Sequence, residues 1–262
     1  MLRVGIEYNV NLQRVVNQVR TDINELLVPV IYQSEYSYTA DDAWPDRIQL
    51  MLDILKETWS SREFIERAAV IAGTFVKETT QFVDRKNKAK FGINAFGNSE
   101  KMTNYLSAAT KQNANLIKSI PEQYLNNVAN TVMTAMRNGI MPREITRQLK
   151  ADYEITQRRA RFIARDQTAK VNGEIDKQRQ MDAGFEYFQW LDSDDERVRH
   201  RHEVIANKET KYGIGVYRWD DLPKNDKGET IQPGSDYNCR CTARAKTTAS
   251  VEKHMKNKRA NQ

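Results

Sequence analysis

The 262-residue sequence lacks long hydrophobic runs and contains very few cysteines and histidines. No run of about 18 apolar residues is present, which excludes an obvious membrane-spanning helix. The N-terminal residues lack the charged, apolar and small-residue order of a secretory signal, so we expect the protein to be made and used in a cytoplasm. Its 2 cysteines, Cys239 and Cys241, stand one residue apart. Such a pair cannot build a disulfide framework, and we expect both thiols to be reduced when the protein folds.

The sequence also lacks a strong excess of charge of one sign. It has 41 Lys and Arg against 35 Asp and Glu, a formal net charge of +6. Most charges must therefore alternate in sign on solvated faces, and the chain is mildly basic rather than histone-like. Its length allows a substantial core and is compatible with two domains.

Glycine is scarce over the first 180 or so residues, where apolar residues recur at spacings of three and four. This period predicts helices. We expect helix starts at Trp44-Pro45-Asp46, near Ser61, at the capping-box sequence Ser119-Ile-Pro-Glu122, at Pro142 and at Thr156. Gly139 and Gly184 are predicted to end two of them. Aromatic and β-branched residues then predict strands within 185–190, 213–219 and 238–245.

These patterns predict a mainly α fold with a small C-terminal α+β unit. The expected segments are a helical N-terminal region (1–110), a second helical region (111–184), the α+β unit (185–245) and a basic tail (246–262) that is disordered, or ordered only against a partner. Between Lys86 and Asn104 the helical period weakens, which indicates a connector or an interaction loop.

Both cysteines and two of the three histidines fall within about fifty residues, which indicates a constructed site. Thiolates and imidazole are the ligands that zinc prefers, so Cys239, Cys241 and His202 are candidate zinc ligands. A fourth ligand is not evident from the sequence. The candidates for it are His200, Asp195 and Asp236.

A packing role is the main alternative for the cysteines, because free cysteine is among the most buried residue types. In this interpretation both side chains lie on one face of the last strand and Arg240 points to the other. His202 and Asn238 would then bond to backbone groups of the loops. Asp195 would pair with Arg197 or Arg199 and order the loop after Trp190.

Two catalytic alternatives remain open. One of the cysteines could act as a nucleophile with His202 as its base, although the sequence identifies no group that would orient the histidine. A nuclease would instead use His202 as the base and place Arg197 or Arg199 on a phosphate.

Nucleic-acid contact is suggested by two basic segments. Arg158, Arg161 and Arg165 recur at helical spacing and could meet phosphates, although a solvated or salt-bridged face is the commoner explanation. The tail carries further cations, Lys256, Lys258 and Arg259.

The order of motifs from about residue 139 to residue 244 resembles the Mu F-like head morphogenesis family of tailed bacteriophages, and it covers roughly 40% of the chain. A short helix after Gly139 is followed by the arginine- and alanine-rich stretch 159–165, and Gly184 precedes a strand that ends at Trp190. The two motifs that follow are D-x-R-V-R-x-x-H (195–202) and N-C-R-C (238–241). The motif residues are Trp190, Asp195, Arg197, Arg199, His202, Asn238, Cys239, Arg240 and Cys241.

The resemblance implies a structural minor head protein rather than an enzyme. Its expected partners are the portal protein and the major capsid protein, with packaged DNA as a further candidate. Neither a membrane nor a small-molecule substrate is expected, and zinc is the one cofactor to consider. The implied location is the interior of the virion head near the portal vertex, after assembly in the host cytoplasm. A phage-encoded, nuclease-like enzyme using His202 and the nearby arginines is the alternative.

Overall fold

The computed structural model describes residues 2–33, 44–92 and 98–260. The chain is mainly helical with a small sheet region near the C-terminus, which confirms the predicted fold class. It divides into two compact units, each of which combines segments distant in sequence. The helical unit comprises residues 2–75 and 108–164, and the mixed unit comprises residues 76–107 and 165–262. Within the described residues, no helix has the length and hydrophobicity needed to cross a membrane.

The helices occupy most of the chain up to residue 182. They are α1 (Leu2–Asp22), a π-helical turn (Ile23–Leu27), α2 (Val28–Gln33), α3 (Trp44–Ser60), α4 (Arg62–Phe91), α5 (Glu100–Arg137) and α6 (Pro142–Asp182). The later elements are β1 (Tyr187–Leu191), α7 (His200–Asn207), β2 (Glu209–Thr210), β3 (Gly213–Ile214), β4 (Val216–Arg218), β5 (Thr242–Lys246) and α8 (Thr248–Ala260).

Two predicted helix starts were wrong, because Ser119 and Thr156 lie inside the continuous helices α5 and α6. The Ser119 hydroxyl donates to the carbonyl of Leu116 at 2.7 Å, and the Thr156 hydroxyl donates to the carbonyl of Asp152 at 2.9 Å. Both hydroxyls therefore bond backward within their helices instead of capping a new one. Pro142 does open a helix, and Gly139 and Gly184 adopt the positive φ angles expected of helix ends.

The core of the helical unit follows the predicted apolar stripe of α1. Leu12, Val15 and Val16 are completely buried. Tyr8 stacks on Phe75 with ring centroids 4.0 Å apart. Its hydroxyl donates to the Asn113 side chain at 2.9 Å, and burial raises the pKa of that phenol above its ordinary value. A buried aromatic ring thus keeps its polar end satisfied.

The sheet of the mixed unit has three antiparallel strands in the order β4-β1-β5. Alternate residues of β1, Phe188 and Trp190, are buried. Phe188 stacks on Trp219 at 3.9 Å, and Tyr217 and Ile205 belong to the same apolar cluster. The sheet therefore packs its inner face against α7 and the loop that precedes β5.

The C-terminal tail forms helix α8 rather than the disordered segment expected from its composition. The Thr247 hydroxyl accepts the backbone N–H of Ser250 at 3.3 Å, an N-terminal capping contact. Val251 is buried, and Lys258 donates to Glu209 at 2.6 Å. One buried side chain, a cap and a distant ion pair order a segment that is polar in sequence.

The connector predicted between Lys86 and Asn104 is shorter than expected. Helix α4 continues to Phe91, and α5 begins at Glu100 after a cap by the Ser99 hydroxyl, which accepts the N–H of Met102 at 3.2 Å. Residues 93–97 of this connector lie outside the described residues.

Candidate functional site

The second half of α6 is the platform on which the loop before β5 rests. A Cβ atom at Gly173 would lie 2.5 Å from the carbonyl oxygen of Pro233, and one at Gly234 would lie 2.7 Å from that of Ala169. Two glycines therefore allow the backbone of the loop to touch the helix. Lys177 adds a 2.8 Å hydrogen bond to Gln232.

His202, Cys239 and Cys241 converge at one buried point. The Nδ1 atom of His202 lies 3.7 Å from the sulfur of Cys239 and 3.5 Å from that of Cys241. The exposed fractions of the three residues are 2%, 3% and 7% respectively. The sequence had placed these side chains together as zinc ligands, and the fold brings them into one cluster.

The cysteines lie in the loop that leads into β5 and not on the strand itself, where the packing interpretation had placed them. They do alternate with exposed Arg240, as that interpretation predicted. Both also belong to the apolar cluster that contains Trp190. The Trp190 ring meets the His202 ring edge-on at 5.6 Å. The thiols thus combine contact with the core with contact to an imidazole.

Asp236 holds the opposite side of the histidine. Its carboxylate lies 3.2 Å from His202 Nε2, accepts a hydrogen bond from Arg201, and also accepts the backbone N–H of Tyr237 at 2.8 Å. Arg199 lies 3.7 Å away. Partial burial raises the pKa of Asp236, but the Arg201 and Tyr237 hydrogen bonds outweigh it, so the pKa lies below its ordinary value. The carboxylate therefore stays ionised and fixes the ring.

The two thiols differ sharply in acidity. A hydrogen bond from Cys241 is the main cause that lowers the pKa of the Cys239 thiol, helped by His202 and the backbone N–H groups of Cys241 and Gly234. The same contact with Cys239, together with burial, raises the pKa of the Cys241 thiol. The contact between the two sulfurs therefore shifts the pKa values of the two thiols in opposite directions.

The predicted contacts of Asp195 and His202 were wrong in their partners. Asp195 forms a bidentate ion pair with Arg240. The backbone N–H of Arg197 also donates to the Asp195 carboxylate at 2.9 Å. The Arg240 hydrogen bonds lower the pKa of Asp195 to about 2. Arg199 instead donates to the carbonyl of Tyr237 at 2.6 Å.

Asn238 acts through its backbone rather than through the loop contacts expected of its side chain. Its φ angle is +50°, a left-handed conformation that asparagine tolerates better than most residues. Its N–H donates to the buried carboxylate of Asp166 on α6 at 3.1 Å. This contact aims the chain that follows toward the buried cluster.

None of the three proposed fourth ligands joins the cysteine sulfurs. His200 is exposed and lies 3.6 Å from Glu203, and Asp195 is paired with Arg240. Asp236 lies on the far nitrogen of His202. Among the described residues, the cluster of metal-binding side chains contains His202 and the two cysteines alone.

The structure meets one requirement of the catalytic interpretations and opposes another. Asp236 supplies the orienting carboxylate that a Cys-His nucleophile pair requires, a role that the sequence did not reveal. The thiols, however, are buried within the core cluster, where a substrate would have to displace packed side chains. Of the arginines proposed for a phosphate, Arg199 is bonded within the loop and Arg197 is exposed.

The basic residues proposed for DNA are mostly exposed. Arg158, Arg161 and Arg165 face solvent on α6, as do Lys256 and Arg259 on α8. Lys258 is engaged with Glu209.

Sequence reasoning missed the roles of Asp166 and Arg201, which hold Asn238 and Asp236 respectively. A signal was present for Asp166, since a buried acid with a lysine four residues later is a common helical pair; Lys170 lies 2.8 Å from it.

Comparison with known proteins gives three findings. The family described as phage Mu protein F like protein matches residues 126–244, which include the whole cluster and its platform. An uncharacterized protein of Haemophilus influenzae is 30% identical over 248 residues, and the match covers 91% of this chain and 52% of that protein. The chain thus spans about half the length of this curated relative. No solved structure matches the chain significantly. Residues 126–244, whose motifs carried the resemblance, are therefore similar to the phage Mu protein F-like family, a match that supports a phage head morphogenesis protein at the level of the family.

Proposed function

We propose that the protein is a minor head protein of a tailed phage or prophage, which binds the portal protein and the inner surface of the capsid and assists head assembly or DNA delivery. The family match over residues 126–244 carries this proposal. The location near the portal vertex and the capsid and DNA contacts are parts of the same proposal.

The motif residues of the mixed unit support a role in recognition. These residues contact other residues of the same unit. Asp195 pairs with Arg240, His202 pairs with Asp236, and the cysteines pack within the core cluster. Side chains committed to internal contacts build a rigid unit rather than an open reaction centre.

The helical unit offers an apolar surface for a partner. Leu50 and Ile54 stand one turn apart on α3 and are 55% and 37% exposed. Neighbouring apolar side chains on one helix face are typical of docking surfaces. We infer that this pair, here called the α3 patch, contacts the portal or the capsid lining.

Co-purification tests the partner assignment. The tagged full chain is co-expressed with the portal protein of the same phage, and the recovered portal is quantified. The patch variant is Leu50→Glu with Ile54→Glu. The control, Gln49→Glu with Thr58→Glu, adds the same charge at exposed polar positions of the same helix.

We expect the wild type and the control to retain the portal, and the patch variant to lose it by at least about tenfold, equivalent to about 1.4 kcal/mol. Equal retention by both variants would remove the α3 patch from the interface. Failure of the wild type to associate with portal, capsid or packaged DNA would refute the partner assignment.

The nuclease-like alternative has its own discriminating assay. Purified chain is incubated with DNA and RNA, beside His202→Ala. Cleavage that His202→Ala abolishes, in a variant that remains folded, would refute a purely structural role. We expect the wild-type protein to cleave neither nucleic acid. We expect His202→Ala to have a lower melting temperature than the wild type.

A further inference from the structure

The three donor atoms of the buried cluster already have the spacing of a metal site. His202 Nδ1 lies 3.7 and 3.5 Å from the sulfurs of Cys239 and Cys241, and all three ligand atoms lie within 4.8 Å of one another. Tetrahedral zinc, with bonds of about 2.3 Å to sulfur and about 2.0 to 2.1 Å to nitrogen, separates the two ligand types by about 3.6 Å. We propose that His202, Cys239 and Cys241 bind one zinc ion.

The hydrogen bond on the other ring nitrogen supports this assignment. Asp236 lies 3.2 Å from Nε2, and Arg201 in turn holds the Asp236 carboxylate. A neutral imidazole that donates its Nε2 proton to Asp236 keeps the lone pair of Nδ1 directed at the sulfurs. Zinc-binding histidines characteristically carry such a carboxylate on the nitrogen that does not bind the metal.

A hydrogen bond to the imidazole accounts for only one of the two thiols. Nδ1 has one lone pair and accepts one thiol proton, yet both sulfurs lie at nearly the same distance from it. The Cys239 sulfur also accepts hydrogen bonds from the backbone N–H groups of Gly234 and Cys241. A zinc ion would use all three donors at once, whereas simple hydrophobic packing requires no imidazole facing the sulfurs.

The location suits a structural role. His202 lies on α7, and the cysteines end a long segment after β4 that contains isolated bridges rather than strands. An ion held by both would tie this segment to the helix and stabilise the folded state through its binding energy. Because the described residues provide no fourth protein ligand at this point, a water molecule would complete the tetrahedral site.

Metal content of the untagged full chain tests the site. The protein is expressed with added zinc, dialysed without chelator, and measured by elemental analysis and native mass spectrometry. We expect about one zinc per chain, because tight structural sites fill almost completely. X-ray absorption should give two sulfur neighbours and two nitrogen or oxygen neighbours.

Variants locate the zinc. Cys239→Ser with Cys241→Ser should lower the zinc content about tenfold or more, as expected when a site loses both thiolates. His200→Gln, which changes the exposed histidine nearby, should retain the wild-type content. Wild-type protein with less than about 0.2 zinc per chain would overturn the proposal. So would a double cysteine variant that retains the wild-type content.

Cobalt substitution keeps the test independent of variant folding. Wild-type chain loaded with Co²⁺ should show thiolate-to-cobalt charge-transfer absorption and the visible bands of tetrahedral cobalt. Titration with a mercurial reagent should release one metal ion as two thiols react. Cobalt spectra without thiolate bands would exclude the cysteines as ligands and refute the site.

Discussion

Replacement of Gly173 by alanine sets two known effects against each other. Within a helix such as α6, alanine is favoured over glycine by about 1 kcal/mol. The added Cβ, however, would lie 2.5 Å from the carbonyl oxygen of Pro233, where ordinary contact begins at 3.4 Å. The loop must therefore retreat by about 0.9 Å, the difference between these distances. Gly234 in that loop is itself pressed against Ala169, so the backbone has little freedom to move.

Overpacking typically costs about 1 to 3 kcal/mol, and a clash with backbone lies at or above the upper end of that range. After the helical gain is subtracted, we expect Gly173→Ala to destabilise the protein by about 2 kcal/mol. At about 2 to 4 °C for each kcal/mol, the melting temperature should fall by about 4 to 8 °C.

The matched control is Gly73→Ala in α4, where the nearest atom to the added Cβ, in Thr110, lies 4.0 Å away. With no clash, the helical preference should stabilise this variant by up to about 1 kcal/mol. Thermal unfolding followed by circular dichroism measures both variants. A Gly173→Ala variant as stable as the wild type would refute the inference that the loop rests directly on α6.

Three further outcomes are expected. Gly215→Ala, at a φ of +64° and with its Cβ 2.1 Å from the carbonyl oxygen of Ala206, should cost about 3 kcal/mol or more in urea unfolding, and an unchanged midpoint would contradict the close approach. Lys86→Met, which removes the 2.6 Å partner of buried Asp176, should cost about 3 kcal/mol in the same assay, whereas a loss below about 1 kcal/mol would show that the pair is solvated. Asp236→Asn should weaken zinc binding about 10- to 100-fold in competition with a chromophoric chelator, and unchanged affinity would mean that Asp236 does not support the ligand histidine.

Local periodicity was enough to predict the helical class, because the stripe on α1 is the face that becomes buried. It failed at Ser119 and Thr156, where serine or threonine followed by favourable neighbours imitates a helix start. Both residues are flanked by core positions, such as Ile120 and Ala160, whose burial requires the helix to continue. Packing of the flanking residues therefore outweighed the capping signal.

The C-terminal tail shows the same limit of local patterns, but here a helix was missed and not wrongly predicted. Its composition is polar enough to predict disorder, and Val251 is a weak signal by itself. The contact between Lys258 and Glu209 joins residues 49 positions apart. Only the folded sheet region creates that partner, so no local pattern could have revealed the helix.

At the site, the residues were predictable and their pairings were not. The sequence grouped His202 with both cysteines because the residue types suit zinc, but it paired Asp195 with arginines close in sequence. The actual partner, Arg240, lies 45 positions away. Partners across a loop of that length depend on strand order and on the glycine contacts with α6, which the motif spacing does not encode.

The orientation of one imidazole distinguishes the three interpretations of the cysteines. A nucleophile needs one reachable thiol facing its base, but here both sulfurs face the same nitrogen and are buried. Packing needs apolar neighbours, which the thiols have, but it gives no reason for the carboxylate of Asp236 on the opposite nitrogen. A zinc ion accounts for both observations, because it requires two thiolates, a directed lone pair and a hydrogen bond that orients the ring. The same contacts would make the unit rigid without any substrate, in agreement with the structural role proposed for the protein.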